Sequence, residues 1–356
     1  MDFKHTPLFD LQLAQNARMV PFEAWEMPVQ YKGILAEHQA VRSDVGLFDI
    51  SHMGKFILKG NLDEIQRLIP SDLSRLHSGE GQYTVLLNEQ GGIVDDVIFY
   101  CHSPEHWTVI VNASTTEKDK TWIQTHASAV ELHDLSQERL LLAIQGPNAQ
   151  AKLQPYTTID LSSIPRFGHQ TGELLGAESF IARTGYTGED GFELMLPCEE
   201  GRSLWTKLLN DGVCPCGLGC RDTLRLEAGM HLYGQDMSDE TTPLEASLGW
   251  LVHWDKGPFI GREVLESQKS KLTRKLVGLE IQGRGIPRHD YPVLFQGAPI
   301  GTVTSGVLSP QSHKGIALAY VPMELSTLAT HLEVDIRGKT VPAMVVKRPF
   351  YHRPAV

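Results

Sequence analysis

After Lys275 the chain runs through six short strand-like segments, near "LVGLEI", "YPVLF", "IGTVTSG", "IALAYV", "HLEVDI" and "TVPAMVV". A period of two marks strands with one face in a core, and no helical period competes with it here. Gln296-Gly297 and Arg337-Gly338 supply the tight turns. Residues 275–356 are therefore predicted to form a small antiparallel barrel or jelly roll.

A chain of 356 residues is too long for one ordinary core and suggests two or three domains. Upstream of the barrel, Gln82 to Asn112 reads as a three-strand meander, "QYTVLLN", "IVDDVIFYC" and "WTVIVN", joined by "EQGG" and "HSPEH". Ser114 with Glu117 has the form of a capping box opening an amphipathic helix that carries Trp122 and Ile123. A second unit follows with the strand "RLLLAIQ" and a helix from "GPNAQ", where Pro147 suits a first helical turn. Then comes the hairpin "ESFIARTGYTGEDGFELMLP", turning at Gly188, Asp190 and Gly191. Leu204, Leu208 and Leu209 lie at helical spacing in "EEGRSLWTKLLNDG", which stops at Gly212. "RDTLRLEAG" is a further short helix, and "SQKSKLTRK" (Ser267 to Lys275) reads as a basic linker. Strands followed by helices on one face define the α+β class.

A formal net charge of −11 argues against general affinity for nucleic acid or anionic membrane. The longest apolar runs, such as Leu140 to Ile144, fall far short of the roughly 20 residues of a membrane span. "MDFKHTPLFD" has no signal-peptide pattern, so the expected location is the cytoplasm. Five cysteines form no disulfide framework. Cys214, Cys216 and Cys220 in "CPCGLGC" fit no common metal spacing and read as small buried side chains around a Gly217/Gly219 turn.

The chemically loaded stretch is "GGIVDDVIFY". In a strand Asp95 and Asp96 point to opposite faces, Asp96 with Val94, Ile98 and Tyr100, Asp95 with Ile93, Val97 and Phe99. Both faces are largely apolar, so each carboxylate needs a partner or a ligand. A structural ion pair, an exposed edge strand and a functional site all satisfy that demand.

Seven segments, "MPVQYKG", "VRSDVGLFDISHMG", "LNEQGGIVDDVIFY", "RTGYTGEDGFEL", "GLGCRDTLRLEAGMHLYGQDM", "TPLEASLGW" and "IGTVTSG", together resemble the aminomethyltransferase, or T-protein, family of the glycine cleavage system. The resemblance implies an α+β, three-domain cloverleaf of antiparallel sheets with flanking helices plus the C-terminal barrel. Its first, folate-binding domain is split over 1–50 and 140–266, a ferredoxin-like domain fills 51–139, and the barrel is 275–356. A continuous reading of units along the chain misses that split. The implied reaction transfers the aminomethyl-derived carbon from the lipoyl arm of H-protein to tetrahydrofolate, a co-substrate. Its products are 5,10-methylenetetrahydrofolate, ammonia and dihydrolipoyl H-protein. No metal or flavin is implied; the partners are lipoylated H-protein and, functionally, the P- and L-proteins.

The resemblance assigns the folate-facing aspartate to Asp96, where a carboxylate can orient the folate and stabilise positive charge at the transferring carbon. Asp95 is left to the fold. Glu193, in "EDGFEL", becomes a pterin ligand, since a carboxylate accepts two parallel hydrogen bonds; its bland reading is a half-exposed strand residue. Tyr186 matches a ligand-contacting tyrosine and Arg221 a ligand-binding arginine at the start of its helix. Arg225, one turn on, is read as structural, and the bland reading of both arginines is a surface salt-bridge set with Asp222 and Glu227. Tyr83 and Asn112 on neighbouring strands, Met53 in "SHM" and Trp250 in "LGW" match further folate contacts. Nothing in the family motif gives His52 a task. In "KRPFYHRPAV" the spacing admits His352 or Arg353, and a permanently charged, two-pronged guanidinium favours Arg353 for the folate tail. Gly185, Gly188 and Gly191 precede a strand, not a helix, so they read as hairpin geometry and not as a phosphate loop. The alternative function is a non-catalytic folate-binding scaffold related to iron-sulfur protein maturation, but "RTGYTGEDG" has the transferase form. A flavin-linked demethylating module would need a Rossmann fingerprint, which is lacking.

Overall fold

A computed structural model describes residues 3–353. Two compact units emerge, one built from the chain up to Ile65 with Leu73–Tyr83 and Val97–Asp222, the other from Gln66–Asp72, Thr84–Asp96 and the chain from Thr223 onward. The division falls inside the strands Gly81–Leu87 and Ile93–Ser103 and inside the helix Leu218–Glu227.

The first unit contains a six-stranded sheet ordered His169–Leu174, Ala177–Ala182, Gly191–Pro197, Arg139–Gln145, Gly46–Asp49, Cys214–Cys216. All its pairings are antiparallel except the last. Strand alternation decides its faces. Leu140, Leu142 and Ile144 meet Phe192, Leu194 and Leu196, and the helix Cys198–Asn210 covers them with Leu204, Trp205 and Leu208. Burying each such side chain contributes roughly 1.5–3 kcal/mol. Glu193, in register with Ala143 and Ala182, necessarily points to the other face.

The meander appears as expected, Gly81–Leu87, Ile93–Ser103 and His106–Val111 being consecutive in a sheet completed by Gly54–Lys59 and Glu131–Asp134. The capping box does not form. The helix begins at Thr116, its N-cap Thr115 makes no capping bond, and the Thr115 and Thr116 hydroxyls both donate to the carbonyl of Asn112. Pro147 likewise lies outside its short helix, Ala149–Leu153.

The second unit holds the barrel, closed in the order Arg274–Ile281, Gly315–Pro322, Ala298–Leu308, Pro292–Phe295, His331–Ile336, Lys339–Val346. Its interior is filled by every second residue, Val277, Leu279 and Ile281 facing Ala317, Ala319, Val321, Ala343 and Val345. The two turns adopt the left-handed backbone that their sequences suggest, with φ of 52° and 78° at Gln296 and Gly297 and 57° and 79° at Arg337 and Gly338. The basic linker is shorter than expected, because the helix Arg262–Gln268 and the strand from Arg274 take both its ends. Among the described residues no helix is long and apolar enough to cross a membrane, and no group of three His, Cys, Asp or Glu side chains is arranged to hold a metal ion.

Candidate functional site

Four of the side chains singled out in the sequence gather in the first unit. Met53 follows the strand Gly46–Asp49 on a turn whose backbone is doubly fixed. Asp49 accepts from Thr6 Oγ1 and Gln12 Nε2 (both 2.6 Å) and from the Ser51 amide (3.0 Å), while Lys55 Nζ donates to the carbonyls of Ser51 (2.7 Å) and Met53 (2.8 Å). Burial pushes the Asp49 carboxyl above its ordinary range and holds the Lys55 ammonium down to about 8. His52, packed edge-on against Phe22, is held to about 3 by burial and then by the positive charges of Arg221 and Lys55, so it is a neutral imidazole.

Arg221 stands in the first turn of Leu218–Glu227, three residues further in than the sequence suggested. Its guanidinium lies 4.6 Å from the Tyr186 ring centroid and 3.9 Å from Met53 Sδ. The helix start is set by Glu37, a fully buried carboxylate in Ile34–Ser43. One of its oxygens accepts the amides of Tyr31 (2.6 Å), Lys32 (2.9 Å) and Gly33 (3.1 Å), and the other accepts that of Gly217 (2.9 Å). The "MPVQYKG" and "GLGC" motifs are thus two ends of one clamp.

Tyr186 is carried by the loop between Ala177–Ala182 and Gly191–Pro197, which is hairpin geometry as read from the sequence. Arg42 donates to Thr187 O (2.7 Å) and Glu189 Oε1 (2.8 Å), Arg183 grips Asp190 with two bonds (3.0 and 2.6 Å), and the Gln145 amide reaches Thr184 O (2.9 Å). A Cβ on Gly185 would stand 2.0 Å from Gln145 Oε1, so it would displace the side chain that holds Thr184 O and Thr187 Oγ1.

Glu193 is 8% exposed and accepts from Thr184 Oγ1 at 2.8 Å. Burial raises its carboxyl, and Thr184, the Arg221 charge and the Tyr100 hydroxyl pull in the opposite direction. A buried carboxylate under the charge of a guanidinium that itself lies over a phenol ring and beside a thioether suits a flat, polar, hydrogen-bonding ligand edge. Tyr83 and Asn112 are half-buried in the same unit, Tyr83 within Gly81–Leu87 and Asn112 just past His106–Val111. Sequence reasoning missed Tyr100 and Thr184. Tyr100 shares the Asp96 face by strand period, the one signal that could have pointed to it.

In the second unit Asp95 is fully buried and Asp96 only partly, so the two carboxylates, on opposite faces of the strand, differ in access. They follow a turn in which Asn88 Oδ1 accepts the amides of Gln90 (3.0 Å) and Gly92 (2.8 Å) while Asn88 Nδ2 donates to Asp239 O (3.0 Å). The strand is anchored by the Ile93 amide on Thr241 O (2.9 Å) and by Tyr233 Oη on Ile93 O (3.2 Å). Trp250 sits on the turn Gly249–Leu251, 61% exposed. Arg353 and His352 are both exposed. Arg225 is no surface residue. It is 1% exposed and donates to Asp236 Oδ2 (2.8 Å), Ser305 Oγ (2.8 Å) and Met230 O (3.1 Å). Glu227 is also buried and accepts from Ser309 Oγ (2.6 Å) and the Gln311 amide (3.1 Å). Arg225 is therefore structural, as read from the sequence, and the bland alternative of a surface set does not describe it.

Comparison with known proteins gives one answer. The GCVT N-terminal domain family matches residues 8–256, and the glycine cleavage T-protein C-terminal barrel domain family matches residues 274–352. The aminomethyltransferase of Picosynechococcus sp. is 56% identical over 99% of each chain, and that of Synechocystis sp. is 56% identical over 97% of this chain and 96% of its own. The crystal structure of glycine cleavage system aminomethyltransferase T from Bartonella henselae superposes with a TM-score of 0.93 at 35% identity, covering 99% of both chains. On this evidence the chain belongs to the aminomethyltransferase, or T-protein, family of the glycine cleavage system.

Proposed function

We propose that this enzyme takes the aminomethyl group from the lipoyl arm of H-protein, releases ammonia, and passes the carbon to tetrahydrofolate to give 5,10-methylenetetrahydrofolate and dihydrolipoyl H-protein. Family membership supports the aminomethyl transfer and its setting in glycine cleavage. The observation that carries the folate reading is that Arg221 lies 4.6 Å from the Tyr186 ring centroid and 3.9 Å from Met53 Sδ while its charge acts on the buried carboxyl of Glu193. The donor edge of a pterin, one ring N–H beside an amino group, matches a carboxylate that accepts in parallel. Tyr83, Asn112 and Trp250 extend the proposed folate contacts, and Arg353 is proposed for the acidic tail. Asp96 is the proposed catalytic group. As a carboxylate it orients the accepting amine and stabilises positive charge at the transferring carbon. Asp95, fully buried, holds the strand.

The proposed domain division, 1–50 with 140–266, then 51–139 and 275–356, is supported by strand membership. Gly46–Asp49 joins strands lying between Arg139 and Cys216, whereas Gly54–Lys59 joins strands lying between Gly81 and Asp134.

The test is direct. Aminomethylated H-protein and tetrahydrofolate, incubated with the enzyme, yield ammonia and 5,10-methylenetetrahydrofolate in equal amounts; binding of tetrahydrofolate without either product would instead support the scaffold reading.

A further inference from the structure

Glu193 is the end of a hydrogen-bonded line buried in the first unit. Thr184 Oγ1 lies 2.8 Å from Glu193 Oε2, and Tyr100 Oη lies 2.9 Å from Thr184 Oγ1. A threonine hydroxyl has a single proton. Because Thr184 donates it to the carboxylate, the Tyr100 hydroxyl must be the donor in the second bond, and the line runs from Tyr100 through Thr184 to Glu193. Tyr100 is fully buried, and Thr184 and Glu193 are each 8% exposed, so water cannot readily replace any link. Burial and the Glu193 charge hold the Tyr100 phenol well above its ordinary range, which keeps it a donor.

The far end of the line is braced. The Tyr100 ring packs edge-on against His169 (5.6 Å between centroids) and Phe180 (5.1 Å). His169 Nε2 lies 2.9 Å from the Cys101 carbonyl, which can only accept, so that ring is fixed in tautomer as well as in place. Thr184 is held by its own carbonyl, which accepts the Gln145 amide at 2.9 Å.

We infer that Thr184 and Tyr100 are positioning residues for the Glu193 carboxylate, fixing its rotamer and filling one lone pair of Oε2 so that the remaining acceptor sites meet the donor edge of the pterin. The inference rests on the reading of Glu193 as a tetrahydrofolate ligand, and it adds specificity. A carboxylate aimed by two hydroxyls accepts only, so it favours a ligand edge that presents two donors and rejects one that presents an acceptor.

Equilibrium titration of tetrahydrofolate into the full-length enzyme, with the ligand-free Tm of each variant measured alongside, tests this. Thr184→Val keeps shape and removes the donor, and it is expected to weaken binding on the order of tenfold. Thr184→Ser keeps the hydroxyl and is expected to restore most of that loss. Tyr100→Phe removes the hydroxyl that meets Thr184 and also bears on Glu193 directly, and it is expected to cost about threefold. Glu193→Gln is expected to weaken binding at least as much as Thr184→Val, and the double variant no more than Glu193→Gln alone, since the hydroxyl acts through the carboxylate. Wild-type affinity in Thr184→Val beside a weakened Glu193→Gln would overturn the inference and leave Glu193 as a ligand. Equal losses in Thr184→Ser and Thr184→Val would also overturn it, by assigning the effect to packing. Wild-type affinity in Glu193→Gln would overturn the reading of Glu193 itself.

Discussion

Arg221 lies over the Tyr186 ring and beside Met53, so its value lies in the breadth of the guanidinium as much as in its charge. Arg221→Lys keeps the charge but loses that breadth. It is expected to raise the KM for tetrahydrofolate about tenfold with little change in Tm, read by steady-state kinetics and a thermal melt. At the same scale, the sequence separated Asp95 from Asp96 by strand alternation but did not choose between them. Their unequal burial is a property of what packs on each face, and those residues come from distant parts of the chain. Glu193 was legible as a carboxylate among apolar neighbours. The hydroxyls that aim it were not, because Tyr100 and Thr184 are 84 residues apart and meet only through the fold.

At the scale of elements, the barrel was legible because its signal is local. Period-two alternation and glycine turns need no knowledge of the partner strand. The capping box failed for an equally local reason. The Thr115 and Thr116 hydroxyls turn back to Asn112 O, and the helix starts one residue later than Ser114 as N-cap requires. Arg225 was legible as structural but its partner was not, because Asp236 lies beyond the end of the Arg225 helix. Two elements that place the site carry their own predictions. Gly92 packs so closely that an added Cβ would stand 1.7 Å from Asp239 O, so Gly92→Ala should destabilise the second unit by about 3 kcal/mol, measured by denaturant unfolding. Glu37→Gln exchanges one acceptor oxygen of the four-amide clamp for a donor, and about 2 kcal/mol of stability should be lost, together with tetrahydrofolate affinity through the displaced Arg221 helix.

For the whole molecule, the buried His52 and His231 and the half-buried His102 contribute to the response to acid. Burial, the leading cause in each case, holds His52 to about 3, His102 to about 4 and His231 to about 4, against an ordinary value of 6.5. His169 and His106 add repulsion at His102, and Arg348 does so at His231. Above pH 6.5 these rings are neutral in both folded and unfolded chains. As pH falls from about 6.5 towards 4 the unfolded chain takes up protons that the folded chain refuses, so stability must fall across that window. A Tm several degrees lower at about pH 4.5 than at pH 7 is expected, with a shallower slope in His102→Gln. The catalytic account makes its own demand on the intact enzyme. Asp96 is assigned to the transferring carbon and Asp95 to the strand. The deciding measurement is therefore ammonia and 5,10-methylenetetrahydrofolate formation from aminomethylated H-protein by the wild type, Asp96→Asn and Asp95→Asn, each at saturating tetrahydrofolate. A fall in kcat on the order of a hundredfold or more in Asp96→Asn is predicted, with Asp95→Asn losing stability but turning over while folded. Wild-type turnover in Asp96→Asn would contradict the account.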